Sequence, residues 1–279
     1  MNAILFPNFS SKDCMEITRK IIDKLISLNV SVYFENEIKE KISHNSINFI
    51  NLEDMHDFTF AVVIGGDGTI IKSAKKLLEY GIPLVAVNLG HLGFLSSIEK
   101  NELDKLELIV NGEYTIDNRM SICANIGDKR IVAVNDIVIS KNSVSGIINF
   151  DIKCSDIETA HYKADGVIFS TPSGSTAYAM SAGGPIVHPS VKAFSFTPIC
   201  AHSLFARTII LPKDEKVCVK AFANHQKNDV LAVADGVDTA KIIENDVIFI
   251  QRYEKDARFI KIKDNEFYYS VNKKLMDRG

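Results

Sequence analysis

The segment VVIGGDGTII, residues 62–71, places one acid, Asp67, among glycines directly after an apolar run. Because glycine has no Cβ atom, Gly65, Gly66 and Gly68 let a ligand approach the backbone and can adopt positive φ angles. The N–H groups at the start of a following helix can bind phosphate oxygens. A carboxylate beside such a site can accept the proton of an attacking hydroxyl or hold a magnesium ion. The alternative is an ordinary strand-to-helix turn that Asp67 caps.

A second stretch, YKADGVIFSTPSGSTAYAMSAGGPIVHPS at residues 162–190, is dense in hydroxyl groups and small residues. Such a surface suits a planar, polyhydroxylated ligand, with Tyr178 as a stacking face and Asp165 as a hydrogen-bond acceptor. The alternatives are an ordinary Gly/Ser/Pro loop and a hydrolase nucleophile, although no GxSxG pattern occurs. The hydroxyl residues are Tyr162, Ser170, Thr171, Ser173, Ser175, Thr176 and Tyr178, followed by Ser181.

A third polar feature interrupts the apolar segment AVNDIVIS, residues 133–140, at Asn135 and Asp136. Polar groups buried in a strand cost stability unless they are paired. This pair can therefore receive the hydroxyl groups of a ribose, or it can mark a strand end or a bulge.

The histidines indicate no metal centre, since none of them stands in an HExxH pattern. His91 and His202 lie near glycine-rich or mixed segments and are candidates for lining a pocket. His188, which precedes a proline, is interpreted as a turn residue.

Composition favours a folded, cytoplasmic protein that acts on small molecules. The chain has 279 residues, of which 46% are hydrophobic and 24% charged, enough for one or two domains. A net charge of -3 without a basic block predicts no nucleic-acid surface. Five scattered cysteines without a CxxC pair indicate a reducing compartment. No signal peptide and no apolar stretch near the ~20 residues of a membrane span are evident.

The first 118 residues alternate between apolar runs and helical patterns. AILF, VSVYF, FAVVIGG and IPLVAVN are expected strands, and SKDCMEITRKIIDKLISLN and TIIKSAKKLLEYG are expected helices, the first with Ser10 or Ser11 as its N-cap. The acidic segment SIEKNELDKLELIVNG is a further predicted helix on the surface, with Leu103, Leu106 and Ile109 or Val110 facing inward. This alternation predicts an α/β domain with a mostly parallel sheet.

From residue 119 the pattern changes to short β-branched and apolar runs divided by turn residues, which predicts a mostly β domain over residues 119–252. RIVAVNDIVIS is one of these runs. The last segment, residues 253–279, can pack on either half, because its pattern alone does not decide between them.

GGDGT, ND within a strand and ADGVIFSTPSGSTAYAMSAGGPIVHPS occur in the order and with the spacing of the NAD kinase family, which the chain resembles over residues 60 to about 210. NLGHLGFL also resembles a segment of that family. The resemblance implies that the adenosine ribose 2′-hydroxyl of NAD is phosphorylated, with ATP or another nucleoside triphosphate as donor and a divalent metal ion, usually Mg²⁺. It further implies a C-terminal tail that returns to the first domain and a homodimer or homotetramer.

The resemblance assigns Asp67 as the proton acceptor, while the metal ligands remain unidentified. Two positions depart from the family pattern: Asp136 stands where many relatives have Glu, and Val237 where some have Gln. Phosphates are expected at Gly65, Gly66 and Gly68. The positions that match NAD contacts are Asp67, Gly68, Lys72, Phe94, Asn135, Asp136, Lys163, Asp165, Ser173, Thr176, Ala177, Tyr178 and Ser181.

Two other functions remain open from the sequence. A lipid kinase of the diacylglycerol or sphingosine type also carries a GGDGT-like loop, but it does not require the TPSGSTAY stretch. A non-catalytic NAD-binding regulator would keep the motifs of the β domain, but it would not need Asp67.

Overall fold

A computed structural model describes residues 1–90, 93–142, 147–223, 230–243, 246–262 and 266–276. The chain divides into two compact units, one formed by Met1–Asn118 and Ala257–Gly279 and the other by Arg119–Asp256. The first unit is therefore made from two separate stretches of the chain.

The part of the chain before residue 120 alternates strands with helices. Its strands are β1 (Asn2–Pro7), β2 (Ser31–Glu35), β3 (Ile47–Ile50), β4 (Phe60–Ile64), β5 (Leu84–Asn88), β6 (Ile98–Glu99) and β7 (Thr115–Arg119). Its helices are α1 (Cys14–Ser27), α2 (Asp67–Leu78) and α3 (Leu106–Val110), with 3-10 turns at Asn36–Ile38, Leu52–Asp54 and Leu103–Lys105.

The second unit consists mainly of strands. They are β8 (Ile122–Ile126), β9 (Lys129–Ala133), β10 (Asp136–Lys141), β11 (Ile148–Cys154), β12 (Ile157–Ala164), β13 (Gly166–Ser170), β14 (Ala193–Ile199), β15 (Ile209–Pro212), β16 (Val217–Ala223), β17 (Val230–Ala234), β18 (Asp238–Ile242) and β19 (Ile248–Arg252). A 3-10 turn at Gly174–Thr176 and the short helix α4 (Tyr178–Ser181) follow β13. The last two elements, β20 (Ala257–Lys261) and α5 (Glu266–Met276), belong to the first unit.

The sheet of the first unit has the order β3-β2-β1-β4-β5-β20-β7 over the described residues, with β6 paired to β5. The pairs from β3 to β20 are parallel. Every residue of β4 and β5 is buried, as expected for parallel strands that are covered on both faces. The predicted α/β domain with a mostly parallel sheet is confirmed.

Two local predictions for this unit are wrong. Helix α1 has Asp13 as its N-cap, because Asp13 O accepts the first α-helical hydrogen bond, from Ile17 N at 3.1 Å, whereas Ser11 O accepts from Cys14 N in the turn before the helix. The acidic segment is not one helix, because Ile98 pairs with Val87 at the edge of β5 and only α3 is α-helical. Leu106 and Ile109 are nevertheless buried, as predicted.

The second unit contains two antiparallel sheets among the described residues, ordered β15-β14-β13-β10-β17-β18 and β12-β11-β16-β19-β8-β9. They share one hydrophobic core, to which Phe150 contributes from the second sheet and Phe169 and Phe196 from the first. The predicted mostly β domain is confirmed. RIVAVNDIVIS, however, is not one strand: β9 and β10 lie in different sheets, and the chain passes between them at Val134 and Asn135.

Each helix of the described part of the chain is too short or too polar to cross a membrane.

Candidate active site

The GGDGT segment forms the turn from β4 to α2. Gly65 N donates to Val87 O of β5 at 3.0 Å, Gly66 is the N-cap, and α2 begins at Asp67. The predicted positive φ angles are wrong for Gly65, Gly66 and Gly68, because the strand passes into the helix through an extended residue, Gly66, with φ −93° and ψ 179°.

The three glycines differ in how closely other atoms approach them. A Cβ atom at Gly65 would lie 2.9 Å from Thr69 Oγ1, so this glycine is needed for packing within the turn. At Gly66 and Gly68, by contrast, an added Cβ would meet nothing within 4 Å. The start of α2 therefore has a bare, exposed backbone, where the first N–H groups of a helix lack intrahelical partners.

The Asp67 carboxylate is held against a second loop, which follows β5. Phe94 N donates to Asp67 Oδ2 at 3.3 Å, and a Cβ atom at Gly93 would lie only 2.0 Å from Asp67 Oδ1. Gly93 O in turn accepts a hydrogen bond from Ser270 Oγ of α5 at 3.3 Å. Gly93 was not predicted as a site residue, although the repeated glycines of NLGHLGFL indicate a close approach of the backbone. His91 of that segment lies outside the described residues.

Two more predicted residues belong to this unit. Lys72 is exposed on α2, one turn and a half beyond Asp67, and its ammonium group is accessible to an anionic ligand. The Phe94 side chain is half-buried, so part of its ring is available for contact with a ligand.

In the second unit, the two residues between β9 and β10 and the first residue of β10, Val134–Asp136, form what we call the sheet corner. Asp235, in the turn between β17 and β18, accepts hydrogen bonds from Val134 N (2.8 Å), Asn135 N (2.8 Å) and Asp136 N (3.2 Å). Its own N–H donates to Asp136 O at 3.0 Å. Asp235 was not predicted as a site residue, because an acid in ADG is typical of any tight turn.

The hydroxyl-rich stretch packs on the same corner. Thr171 Oγ1 donates to Val134 O at 2.7 Å, and Thr171 N donates to Asn135 O at 2.9 Å. A Cβ atom at Gly174 would lie 2.1 Å from Asn135 O, so only glycine fits there. Two motifs that are separate in the sequence, ND and TPSGST, are thus one structural unit. Gly174 also went unselected, although it stands in the middle of the stretch.

The side chains of the corner are set up for hydrogen bonding. Asn135 Oδ1 is buried and has no hydrogen-bond partner within the described residues. The Asp136 side chain is also buried, and burial, followed by the negative charge of Asp235, raises the pKa of its carboxyl group to about 7. An amide oxygen and a carboxyl group on consecutive residues therefore have capacity for the hydroxyl groups of a ligand.

Most hydroxyl groups of the stretch are used within the protein. Ser170 Oγ donates to Thr171 O at 3.0 Å, and Ser175 Oγ donates to Pro172 O at 2.7 Å and accepts from Val187 N at 2.9 Å. Ser173 Oγ accepts from the buried Arg119 guanidinium at 3.2 Å. These contacts hold the loop in place, and they are not the arrangement of a serine nucleophile beside a general base.

The residues after the loop are more accessible. Ala177 is the N-cap of α4, and Tyr178, the first residue of that helix, leaves 47% of its surface exposed. Ser181 is also exposed, while Thr176 Oγ1 donates to Ser173 O at 3.2 Å. The tyrosine ring is therefore available for stacking.

Asp165 and Lys163 lie beside β13. Asp165 forms an ion pair with Lys141 at 2.6 Å, a partner that the sequence did not indicate. Lys163 is exposed, and its carbonyl group accepts from His202 N at 2.7 Å. His188 Nδ1 interacts with Ser190 Oγ at 2.7 Å, as expected for a turn residue.

The predicted site residues thus form two groups, one in each compact unit. Asp67, Lys72, Phe94 and the three glycines belong to the first. The second contains Asn135, Asp136, Lys163, Asp165, Ser173, Thr176, Ala177, Tyr178 and Ser181.

Two family models match different parts of the chain. The model of the ATP-NAD kinase N-terminal domain matches residues 4–114, and that of the ATP-NAD kinase C-terminal domain matches residues 134–262. The chain is 35% identical over 280 residues to an NAD kinase from Caldanaerobacter subterraneus subsp. tengcongensis, covering 98% of each protein. The chain belongs to the NAD kinase family. The resemblance inferred from the three motifs is confirmed.

Other members of the NAD kinase family are similarly related. An NAD kinase from Clostridium botulinum strain Loch Maree is 35% identical over 270 residues, which cover 95% of this chain and 94% of that protein. A yeast NADH kinase complexed with NADH superposes with a TM-score of 0.87 at 26% identity, over 99% of this chain and 87% of the yeast chain. An Archaeoglobus fulgidus NAD kinase in complex with ATP shares the fold, with a TM-score of 0.79 at 23% identity over 100% and 99% of the two chains.

Proposed function

We propose that this chain phosphorylates the 2′-hydroxyl of the adenosine ribose of NAD, with ATP as phosphoryl donor, to give NADP. The observation that carries the proposal is the sheet corner, where Asn135 and Asp136 are held beside the TPSGST loop by Thr171 and Gly174. Family membership and the yeast relative that was solved with NADH support the same substrate class.

Asp67 acts as the general base in this proposal. A ribose hydroxyl is a poor nucleophile at neutral pH, and a positioned carboxylate can accept its proton while the phosphoryl group is transferred. The O–H bond of the hydroxyl breaks as its oxygen bonds to the γ-phosphorus, and the bond from that phosphorus to the β,γ-bridging oxygen breaks to release ADP. The contacts with Phe94 N and Gly93 orient the carboxylate before the substrate arrives.

The ribose is bound by the sheet corner. Asn135 Oδ1 accepts from one hydroxyl group, and the Asp136 carboxyl group accepts from or donates to another. Tyr178 stacks on a planar ring of the dinucleotide, while Thr176, Ala177 and Ser181 flank it. Phe94, Lys163 and Asp165 remain predicted NAD contacts.

The phosphates of ATP approach the start of α2. Gly66 and Gly68 leave space for them, N–H groups of the first helical turn donate to them, and Lys72 compensates part of their charge. Gly65 supports this turn by packing on Thr69.

Mg²⁺ fits this site as an ion that enters with the triphosphate. Among the described residues, no three Asp, Glu, His or Cys side chains form a protein cage for a metal ion. Mg²⁺ commonly uses one or two carboxylates together with substrate phosphates and water. Asp67 is the carboxylate that stands beside the proposed phosphate site, and the bound ion would neutralise charge on the transferring group.

The direct test is the reaction of the purified chain with NAD, ATP and Mg²⁺, followed by separation of NADP from NAD. NADP formation that depends on both substrates is the expected result. Diacylglycerol and sphingosine are offered as competing acceptors, and phosphorylation of a lipid without NADP would favour the lipid-kinase alternative. NAD binding without turnover would favour a non-catalytic regulator.

Three further properties remain predictions. Inorganic polyphosphate in place of ATP tests donor choice, and light scattering tests the homodimer or homotetramer. The cytoplasmic location is tested by cell fractionation.

A further inference from the structure

Asp235 makes four hydrogen bonds with the sheet corner although it lies about 100 residues away in the sequence. Oδ2 accepts from Val134 N, Oδ1 accepts from Asn135 N and Asp136 N, and Asp235 N donates to Asp136 O. Hydrogen bonds to a carboxylate are roughly twice as strong as those between neutral groups. The residue holds this position with φ +51°, a conformation that Asp and Asn tolerate better than most side chains.

Together with Thr171, Asp235 occupies every backbone N–H and C=O group of the corner. Thr171 binds the carbonyl oxygens of Val134 and Asn135, and Asp235 binds the remaining four groups. The backbone of these three residues therefore cannot shift without breaking a hydrogen bond. Hydrogen bonds from the corner to a ligand therefore have to come from the side chains of Asn135 and Asp136.

We propose that Asp235 is a positioning residue for NAD binding, which holds Asn135 and Asp136 in the geometry that receives the ribose without itself contacting the nucleotide. The inference rests on the proposed function, since it names the support for that ribose site. The family resemblance did not assign this residue a role, and the contacts above assign it one.

The same carboxylate influences the charge of Asp136. The strand beside Asp136 places Ser170 opposite it, and the turn after β17 contributes Asp235. The loop packed on the corner contributes Thr171, which is not charged. Strand β8 contains the Cys123 thiol. The charged residues of β9, Lys129 and Arg130, lie at the end of that strand away from the corner. Burial raises the pKa of the Asp136 carboxyl group, and the negative charge of Asp235 raises it further, to about 7.

This coupling gives a readout that a purely structural role would not move. Because a carboxylate binds hydroxyl groups more strongly than a carboxylic acid, the NAD dissociation constant should fall as pH rises through about 7. When Asp235 is made neutral, the pKa of Asp136 should decrease, so the same fall should occur at lower pH.

Two variants separate geometry from charge. Asp235→Gly removes the carboxylate while tolerating the positive φ, and Asp235→Asn keeps one acceptor oxygen but removes the charge. Asp156→Gly is the matched control, because Asp156 has φ +64° in the exposed turn between β11 and β12 of the same unit.

The experiment measures the NAD dissociation constant of the full chain by calorimetry between pH 5.5 and 8.5, together with steady-state kinetics and melting temperature. Asp235→Gly should weaken NAD binding by about 10- to 100-fold, the scale of a small misplacement in a binding site. KM for NAD should rise accordingly, with a smaller change in kcat. Asp156→Gly should bind like the wild type.

Wild-type affinity and an unchanged pH profile in folded Asp235→Asn would overturn the inference, and this variant decides the matter where Asp235→Gly does not fold. Failure of the wild type to bind NAD would instead overturn the proposed function, and this inference with it. The two failures are distinguishable because the first leaves NAD binding and NADP formation by the wild type intact.

Discussion

At the scale of single residues, Asn135 combines a buried side-chain oxygen with the absence of a protein partner for it among the described residues. A buried polar atom without a partner costs stability, so a site that retains one is expected to receive a ligand there. The unpartnered oxygen of Asn135 is therefore the observation that best distinguishes a binding role of the ND motif from a structural role.

Asn135→Ala should raise KM for NAD by about 2- to 10-fold, the range that corresponds to one neutral hydrogen bond. The melting temperature should change little, because the removed oxygen has no partner within the described residues. Asn125→Ala, at a half-buried position on β8, is the control and should leave KM unchanged. A large loss of stability with normal kinetics would contradict the binding role and indicate that Asn135 supports the fold.

Tyr178 is predicted to act through its ring, which is 47% exposed at the start of α4. Loss of a stacking aromatic typically costs about 1 to 3 kcal/mol, so Tyr178→Ala should weaken NAD binding by roughly 5- to 150-fold. Tyr178→Phe should retain most of the affinity, since it keeps the ring. Titration calorimetry in which Phe is as damaging as Ala would disprove stacking and assign the contact to the hydroxyl group.

The residues that the sequence analysis missed share a physical reason. Gly93, Gly174 and Asp235 contact atoms of partners that are distant in the sequence. The glycines of a motif can be seen in the sequence, but their spacing does not say which distant atoms they contact. Asp67, Asn135 and Asp136 were found because a polar residue in an apolar run is visible in the sequence alone.

At the scale of elements, the position of Asp67 depends on the loop after β5 as much as on α2. Gly93 approaches the carboxylate more closely than any residue with a Cβ atom allows. The α5 helix then binds the carbonyl group of Gly93 through Ser270. The geometry of the proposed base is thus set by three separate elements.

Gly93→Ala should lower kcat by about 10²-fold, because its Cβ atom would stand 2.0 Å from Asp67 Oδ1 and displace the carboxylate. Gly90→Ala, in the same loop, is the matched control, since a Cβ atom there meets nothing within 4 Å. Steady-state kinetics and melting curves of both variants give the test. A folded Gly93→Ala protein with wild-type kcat would show that this approach does not position the base.

Strand prediction succeeded for many apolar runs, but it missed the apolar, buried strand β14 and failed where the topology changed. The apolar runs of β4 and β5 are buried as expected, but RIVAVNDIVIS spans two sheets. The polar residues in that run mark the corner between the sheets, which is the strand-end alternative considered for them. The edge strand β12 was missed because exposed positions dominate its sequence.

At the scale of the whole molecule, the first unit is completed by the end of the chain. Strand β20 lies between β5 and β7, with Phe259 and Ile260 buried. The apolar runs of residues 253–279 fit either half, so the return of this tail to the first domain was predicted from the family resemblance and not from the pattern. The domain boundaries drawn at 118 and 252 stay a prediction, whereas the compact units divide after Asn118 and Asp256.

A chain that ends at Asp256 should lose cooperative folding of the first unit. Burial of Phe259 and Ile260 contributes about 3 to 6 kcal/mol, which is comparable with the 5 to 15 kcal/mol that typically stabilise a domain. A chain that ends at residue 262 keeps β20 and should retain most of the melting temperature, although kcat should fall because Ser270 is gone. Calorimetric scans of both truncations make the comparison, and full-length stability in the shorter chain would contradict it.

The most direct test of the account is the rate of NADP formation by the wild type and by Asp67→Asn, at saturating NAD, ATP and Mg²⁺. Asparagine keeps an oxygen that can accept from Phe94 N, but it cannot accept the proton of the ribose hydroxyl. We predict NADP formation by the wild type and turnover reduced by about 10²-fold or more in the variant, with NAD affinity changed much less. A folded Asp67→Asn protein that forms NADP at nearly the wild-type rate would contradict the account.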